Sequence, residues 1–255
     1  MIDPIATVAD VEAALARVYG DGFAPLPGVL HSASVWEGPD GPRVLRIGEH
    51  APKSAWDHFL LQTTRARADA IVTTGRILRE EPQLRYNLEG PPETRQALHH
   101  WREQVVGKTE PPRVYVLSSG RDLSLDHPTF GSWAIPTLAL PENAPEKLLE
   151  QAHAMCIAVE RLPSIDLRTL VEHLRTRYAT VSIEAGPSSG NDLYTEPMRI
   201  DELVLGRFVG QDLDPRAAGG AFYSAAELEA RFGPPLADTP IDEPSGPWRF
   251  ARYRR

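Results

Sequence analysis

The sequence predicts an α/β protein with a mostly parallel central sheet, flanking helices and an antiparallel edge at its C-terminal end. Strand-like and helix-like segments alternate between residues 54 and 186. Such alternation is typical of parallel strands joined by crossover helices. The late strand-like segments 201–209 and 248–253 have no long helix assured between them, so we expect them to pair antiparallel.

The first elements follow from local patterns. Residues 8–18 carry apolar side chains at helical spacing and are followed by Gly20, which predicts an N-terminal helix. We assign this helix to an extension, 1–27, that precedes a main domain, 28–255. Turn residues at 38–42 separate two strand-like segments, which predicts a β-hairpin.

The later elements alternate in type. Helices are predicted over 54–68, 93–106, 144–153, 166–178 and 224–232, and strands over 70–73, 113–117, 133–140 and 180–186. Residues 87–112 are polar and hold two Pro-Pro pairs, which predicts a surface excursion around the helix 93–106. Residues 233–247 are interpreted as a Pro-rich loop.

Composition limits the classes of function. The chain has 255 residues, of which 42% are hydrophobic and 24% charged, and a net charge of −8. This balance is that of an ordinary globular protein and argues against a general nucleic-acid-binding or anionic-membrane-binding surface. No apolar run approaches 18 residues and the N-terminus has no signal-peptide pattern, so we expect a cytoplasmic protein.

The single cysteine excludes a disulfide within the chain and a cysteine-cluster zinc site. Cys156 lies in the apolar run 153–159, so we expect it in the core. The adjacent His99 and His100 lie in the polar excursion and are expected to be solvated. We predict no metal site.

Three predicted strands end in corners rich in glycine and in polar or charged side chains. The corners are Thr74-Gly75-Arg76, Ser118-Ser119-Gly120-Arg121 and Glu184-Ala185-Gly186-Pro187-Ser188-Ser189-Gly190. In a parallel sheet all three lie at the same carboxyl edge, where open α/β sheets bind ligands. The set therefore predicts a ligand site at this edge.

The chemistry of the corners suits an anion. Gly75 allows a ligand to approach the backbone, and Arg76 and Arg121 supply charge for phosphate oxygens. Each corner taken alone is also consistent with a simple turn or a helix N-cap. Glu184 argues for the ligand site, because a carboxylate at the end of a central strand is expensive to hide in a core.

The corner residues belong to a pattern that resembles a known family, the reductase domain of riboflavin biosynthesis, which has a dihydrofolate-reductase-like fold. In bacteria this is the C-terminal domain of a deaminase-reductase. The matching segments are Arg65-Ala-Arg-Ala-Asp-Ala-Ile-Val72, Glu80-Glu-Pro-Gln-Leu84, Val116-Leu-Ser-Ser119 and Glu184-Ala-Gly-Pro-Ser188. The likeness covers about 28–255, while 1–27 and 87–112 lie outside it.

The resemblance implies an NADPH-dependent reductase that transfers hydride to C1′ of an opened ribose, or its imine, on a phosphorylated pyrimidine. It also implies a homodimer. Expected cofactor-binding residues are Thr74, Gly75, Arg76, Glu80, Ser118, Ser119, Arg121, Gly186, Pro187, Ser188, Ser189 and Gly190. Expected substrate-binding residues are Arg65, Leu84, Arg85 and Glu184.

Two further charged features allow two interpretations each. Asp57 occupies the region of the proton-relaying carboxylate of dihydrofolate reductases, and it is also consistent with a solvated helix charge. The arginines of the last strand, 248–253, and the residues after it fit either the wet face of a strand or a dimer edge.

The sequence departs from the family pattern mainly on the substrate side. The turn after Val72 is one residue shorter and lacks its Thr, and Ser34-Val-Trp-Glu-Gly38 replaces a Ser-Leu-Asp-Gly segment. The arginine that usually holds the substrate phosphate corresponds to Arg85 or Asn87. Two alternatives therefore stay open: a same-fold NADPH reductase with a different substrate, pterin-like or other, and a nucleotide-binding homologue without turnover.

The fused deaminase of many bacterial riboflavin enzymes is excluded. Its zinc site needs a His-x-Glu segment and a Pro-Cys-x-x-Cys segment, and this chain has one cysteine.

Overall fold

The computed structural model describes residues 2–46, 48–186 and 190–255. In these residues the helices are α1 Val8–Tyr19, α2 Ala55–Arg67, α3 Gly75–Glu80, α4 Pro92–Gln104, α5 Glu146–Ala154, α6 Leu167–Arg175 and α7 Ala225–Phe232. The strands are β1 Gly28–Gly38, β2 Gly41–Leu45, β3 Ala70–Thr74, β4 Arg113–Leu117, β5 Ile135–Pro141, β6 Ala158–Leu162, β7 Thr180–Ile183, β8 Glu202–Phe208, β9 Ala218–Ala221, β10 Ala237–Glu243 and β11 Gly246–Arg254.

All of these strands form one sheet, with the order β10-β11-β8-β1-β7-β3-β4-β5-β6, and with β2 and β9 branching from β1. The strands from β8 to β6 in this order pair parallel, whereas β11 pairs antiparallel with both β8 and β10. The predicted fold class, a mostly parallel sheet with an antiparallel C-terminal edge and flanking helices, is confirmed. The predicted hairpin is β1–β2.

Local signals explain where the helices begin. The Ser54 side chain caps α2 by accepting from the Asp57 amide, and Asp166 caps α6 by accepting from the Thr169 amide. In α1, Thr7 and Asp10 form a reciprocal capping box. These caps satisfy amides that have no partner within the first helical turn. The predicted helix positions are confirmed to within a few residues.

The loop predicted over 233–247 is wrong, because β10 lies within it and pairs with β11. Pro240 is tolerated there since β10 is an edge strand, where a missing amide leaves no partner unsatisfied. The prediction for Cys156 is also wrong. Cys156 is exposed and has a φ of 55°, because the apolar run is divided by the turn between α5 and β6.

Helices pack on both faces of the sheet. On one face, Leu170 of α6 and Leu228 of α7 join the largest hydrophobic cluster. On the other face, Trp56 of α2 and Trp248 of β11 lie in a second cluster with α1. Within residues 87–112, Trp101 of α4 is 1% exposed and belongs to this second cluster, so the segment contributes to the core as well as to the surface.

A buried ion cluster lies on β8, away from the corners. Glu202 is fully buried, and its carboxylate accepts from Arg67, Arg252 and Arg254 at 2.8–3.4 Å. The arginines of the C-terminal strand are therefore not a free dimer edge, since β11 lies between β8 and β10.

The same three arginines hold the chain that precedes β1. Their guanidinium groups donate to backbone carbonyls of Leu26, Ala24 and Pro27 at 2.9–3.1 Å. The segment before β1 is thereby tied to the sheet through side chains from α2 and β11. The division into an extension, 1–27, and a main domain, 28–255, stays a prediction.

Within residues 2–46, 48–186 and 190–255, no helix combines the length and the apolar character needed to cross a bilayer. Those ranges also hold no group of three or more His, Cys, Asp or Glu side chains arranged to bind a metal ion.

Candidate functional site

The three predicted corners lie side by side at the carboxyl edge of the sheet. The register pairs Thr74 with Leu117 and Val72 with Ile183, so β3, β4 and β7 end at nearly the same level. A Cβ atom added at Gly75 would lie 2.9 Å from Ser118 Oγ, closer than side chains normally approach. The first two corners are therefore in contact, and a side chain at position 75 would have to displace that of Ser118.

At the first corner, Thr74 is the N-cap of α3, and its hydroxyl accepts from the Ile77 amide at 3.3 Å. Arg76 and Glu80 form an ion pair one turn apart, with 2.7 Å between Arg76 Nε and Glu80 Oε1. The two side chains are 61% and 57% exposed. Both groups therefore lie on the exposed rim of the carboxyl edge of the sheet, where they can reach a ligand.

At the second corner, Ser118 is buried and Ser119 and Arg121 are exposed. The Gly120 amide donates to Ser118 Oγ at 3.0 Å, and Gly120 has a φ of 79°, which favours glycine. Ser118 thus shapes the turn, while Ser119 and Arg121 are exposed to solvent.

The third corner is described at Glu184, Gly186 and Gly190. The Glu184 amide donates to the Val72 carbonyl at 2.9 Å, and the Gly190 amide donates to the Gly186 carbonyl at 3.0 Å. The corner therefore continues directly from β7 beside β3. Three members of the predicted cofactor set, Pro187, Ser188 and Ser189, lie outside the described residues.

Two predicted substrate-side residues, Arg65 and Glu184, bind each other. Arg65 donates from Nε to Glu184 Oε1 at 2.9 Å and from Nη2 to Oε2 at 2.7 Å. Their side chains are only 4% and 11% exposed. Burial alone would lower the pKa of Arg65, but the Glu184 carboxylate raises it above its ordinary value.

The surroundings of this pair include an aromatic ring and a second carboxylate. The Arg65 guanidinium lies 4.9 Å from the ring centroid of Tyr86. Glu81 is partly buried, and burial together with the nearby Glu184 charge raises the pKa of its carboxyl. The surroundings of Arg65 are therefore acidic, and its own charge is already paired with Glu184.

The remaining predicted substrate-binding residues are Leu84 and Arg85, with Asn87 as the alternative to Arg85 for a phosphate contact. Leu84 is half-buried and packs against the small cluster that contains Tyr86. Arg85 is exposed, and its closest recorded acceptor is the Pro128 carbonyl at 3.5 Å. Asn87 accepts from the Trp133 amide at 2.7 Å, so of the two candidates for a phosphate contact Arg85 is the one whose charge faces solvent.

Asp57 is not a solvated helix charge. Ser34 Oγ on β1 lies 2.7 Å from Asp57 Oδ1 and 2.8 Å from Oδ2. Burial raises the pKa of Asp57 to about 6, the Ser34 hydrogen bond opposes this shift, and the Glu243 charge adds to it. A weak acid with this pKa can exchange a proton near neutral pH.

Gly206 on β8 makes room for Asp57, because a Cβ atom added there would collide with Asp57 Oδ1. Gly206 pairs with Ser34 of β1 in the sheet. Ser34 lies three residues beyond His31, and His31 pairs with the last residue of β7. Asp57 is thus held beyond the end of β7, beside the part of β1 that continues past that end. Ser34 and Gly206 were not assigned to the site from the sequence, since their roles depend on pairing between distant strands.

Comparison with known proteins gave matches only to solved structures. No protein-family model and no curated protein sequence matches the chain. A pyrimidine reductase-like protein from Corynebacterium diphtheriae superposes with a TM-score of 0.66 at 19% identity, covering 94% of this chain and 98% of that one.

Two riboflavin-pathway proteins superpose as well. The riboflavin biosynthesis reductase of Saccharomyces cerevisiae has a TM-score of 0.55 at 13% identity, with 96% and 99% of the two chains covered. The RibD protein of Acinetobacter baumannii has a TM-score of 0.57 at 15% identity, with 92% of this chain matched to 59% of that longer one. The chain therefore has the dihydrofolate-reductase-like fold of the riboflavin-pathway pyrimidine reductases, which it resembles.

Proposed function

We propose that this protein is an NADPH-dependent reductase that transfers hydride to C1′ of a phosphorylated ribosylaminopyrimidine, as in riboflavin biosynthesis. The observation that carries the proposal is the position of the Arg65–Glu184 pair beside the Gly75–Ser118 contact at one edge of the sheet. The first is a polar substrate-side group, and the second is a pair of strand-end corners at the carboxyl edge, where open α/β sheets bind nucleotides. The fold shared with pyrimidine reductases supports this assignment.

On the cofactor side, the exposed rim residues would hold phosphate groups. Arg76 would contact the 2′-phosphate, while Ser119 and Arg121 would contact the phosphates that link the two nucleosides. Glu80 would orient Arg76 through their ion pair. Gly186 and Gly190, together with the predicted Pro187, Ser188 and Ser189, would offer backbone and hydroxyl groups to the same cofactor.

On the substrate side, the protein orients the substrate and supplies a proton to it. NADPH supplies the hydride when it is bound. The paired Arg65 and Glu184 present a fixed polar surface to the sugar or the pyrimidine, with Leu84 and Arg85 beside it. Asp57 gives a proton from its carboxyl to the nitrogen of the reduced imine, so that hydride and proton together complete the reduction.

A second candidate is a reductase of the same fold whose substrate carries no phosphate. The acidic surroundings of Arg65 and the partly buried Asp57 favour a heterocycle rich in N–H groups, such as a pterin-like ring, over a phosphate ester. Steady-state NADPH oxidation separates the two substrates. Turnover of the phosphorylated pyrimidine, lost when its phosphate is removed, supports the first candidate, whereas turnover of a dihydropterin supports the second.

A third candidate, a nucleotide-binding homologue without turnover, is tested by nicotinamide fluorescence. We expect NADPH to bind the folded protein with micromolar affinity or better. No binding would eliminate both reductase candidates, and binding without oxidation of either substrate would favour the third.

We also propose that the protein is a cytoplasmic homodimer, as the family resemblance implies. Sedimentation velocity at several protein concentrations measures the assembly directly. A single species with the mass of one 28.2 kDa chain at all concentrations would contradict the dimer.

A further inference from the structure

We propose that His31 is a positioning residue for the cofactor side of the site, because its buried imidazole holds the turn that follows the third corner against β1. The inference rests on the proposed function, since it concerns the same nucleotide site. It assigns a role to a histidine for which the sequence carried no signal.

The downstream end of the corner is held through Tyr194. His31 is 3% exposed and lies on β1 opposite Ile183, the last residue of β7. Its Nδ1 lies 2.6 Å from the hydroxyl of Tyr194, which ends the 3₁₀ turn that follows Gly190. Phe222 packs against both rings, with ring centroids 6.5 Å from His31 and 6.2 Å from Tyr194.

The imidazole also lies close to the corner itself. A Cβ atom added at Gly190 would lie 4.0 Å from His31 Cε1 and 3.9 Å from the Ala185 carbonyl oxygen. The His31 ring and the Ala185 carbonyl therefore both adjoin Gly190, the last residue of the corner.

The His31–Tyr194 bond forms in either tautomer of the ring. Burial lowers the pKa of His31 to about 4 even though the Ala185 backbone opposes the shift, so the ring is neutral at physiological pH. A neutral imidazole has one N–H and one acceptor nitrogen, and a tyrosine hydroxyl can accept from the first or donate to the second. The 2.6 Å contact is therefore a hydrogen bond whichever nitrogen carries the proton.

This hydrogen bond fixes Tyr194, and with it the turn that follows Gly190, against β1 before any ligand binds. A site that is ordered in advance loses less conformational entropy on binding. Removing the hydrogen bond should therefore weaken cofactor binding, while the hydride-transfer step at saturating cofactor stays nearly unchanged.

The test compares two tyrosine variants. Tyr194→Phe removes the hydroxyl that binds His31 and keeps the ring. Tyr223→Phe removes a hydroxyl from a neighbouring ring of the same cluster, 4.9 Å away between centroids, and is the matched control. We expect Tyr194→Phe to raise the Kd for NADPH by about 3- to 10-fold, as expected for one hydrogen bond, and to change kcat by less than about 2-fold. Tyr223→Phe should leave both unchanged.

A second measurement needs no cofactor. Amide hydrogen exchange at Ala185, Gly186 and Gly190 should accelerate in Tyr194→Phe and in His31→Phe, but not in Tyr223→Phe. Equal exchange in all variants would overturn the positioning role whether or not NADPH binds. If wild-type protein fails to bind NADPH while the exchange pattern is as expected, the proposed function fails and the structural link survives.

Discussion

Arg65 on α2 and Glu184 at the end of β7 form a buried ion pair with two parallel hydrogen bonds at the carboxyl edge of the sheet. The pair joins a helix to a strand that lies 119 residues further along the chain. It also neutralises the guanidinium nearest to Glu184. A substrate that binds here therefore meets a preformed ion pair, rather than a free positive charge.

The first prediction concerns this pair. Glu184→Ala should lower the free energy of unfolding by about 3–5 kcal/mol, because it leaves Arg65 charged, buried and unpaired. Arg65→Met combined with Glu184→Ala should be less destabilising than the sum of the single changes, because no unpaired charge is left. Urea denaturation of the four proteins measures the coupling. Additive losses would show that the two side chains do not stabilise each other.

The second prediction concerns the exposed Arg76. Arg76→Ala should weaken NADPH binding by about 10-fold or more and NADH binding by much less, because only NADPH carries the 2′-phosphate. Arg95→Ala removes another exposed arginine, on α4, and is the control. Fluorescence titration with both cofactors measures the ratio. Equal losses for NADPH and NADH would refute the role of Arg76.

The third prediction is a pH dependence at Asp57. Its pKa rises from 3.8 to about 6 on folding, so the folded state binds the proton more tightly and ionisation destabilises it. Asp57→Asn should therefore gain stability relative to wild type as pH rises from about 4 to 6, by at most about 3 kcal/mol.

Thermal unfolding of Asp57→Asn and wild type at pH 4, 6 and 8 tests this sign. The same substitution should remove most of the turnover, because Asn cannot release a proton. A stability difference that does not change with pH, or full turnover by Asp57→Asn, would contradict the proposed role.

The fourth prediction concerns Glu202, the carboxylate shared by three arginines. Glu202→Gln should lower the free energy of unfolding by about 3–5 kcal/mol, because Arg67 and Arg252 stay charged and buried. Glu172→Gln removes the pair with Arg199, in which the carboxylate is 46% exposed, and should cost less than about 1 kcal/mol. Similar losses in the two variants would argue against a special role of the buried cluster.

The same cluster predicts behaviour in acid. Burial opposes ionisation of Glu202, but hydrogen bonds and charge from Arg67 and Arg252 lower its pKa to about 2, against an ordinary value of 4.5. A lowered pKa contributes stability that is fully present above about pH 4.5 and is lost as pH falls toward 2. Denaturation curves of wild type and Glu202→Gln should therefore converge in that interval.

Much of the architecture could be predicted from local patterns. The strand 113–117 and the stripe of α6 are encoded by residues close together in sequence, because the periodicity of apolar side chains reflects the face that will be buried. The contact between Gly75 and Ser118 was foreseen only as a shared edge, through the rule that parallel strands end together. Strand β10 was missed because its apolar content is low and its proline resembles loop sequence.

The sequence by itself determined most of the helices, the central strands β3, β4, β5 and β7, the three corners and the chemistry available at them, since these follow from local propensity and spacing. Only the tertiary structure decided which charges are neutralised and which side chains meet. The pairing of Arg65 with Glu184, the burial of Asp57 against Ser34 and Gly206, and the bridge from His31 to Tyr194 each join residues from distant segments. Desolvation and long-range pairing set the pKa values and the geometry of such groups, and neither is visible in the local sequence.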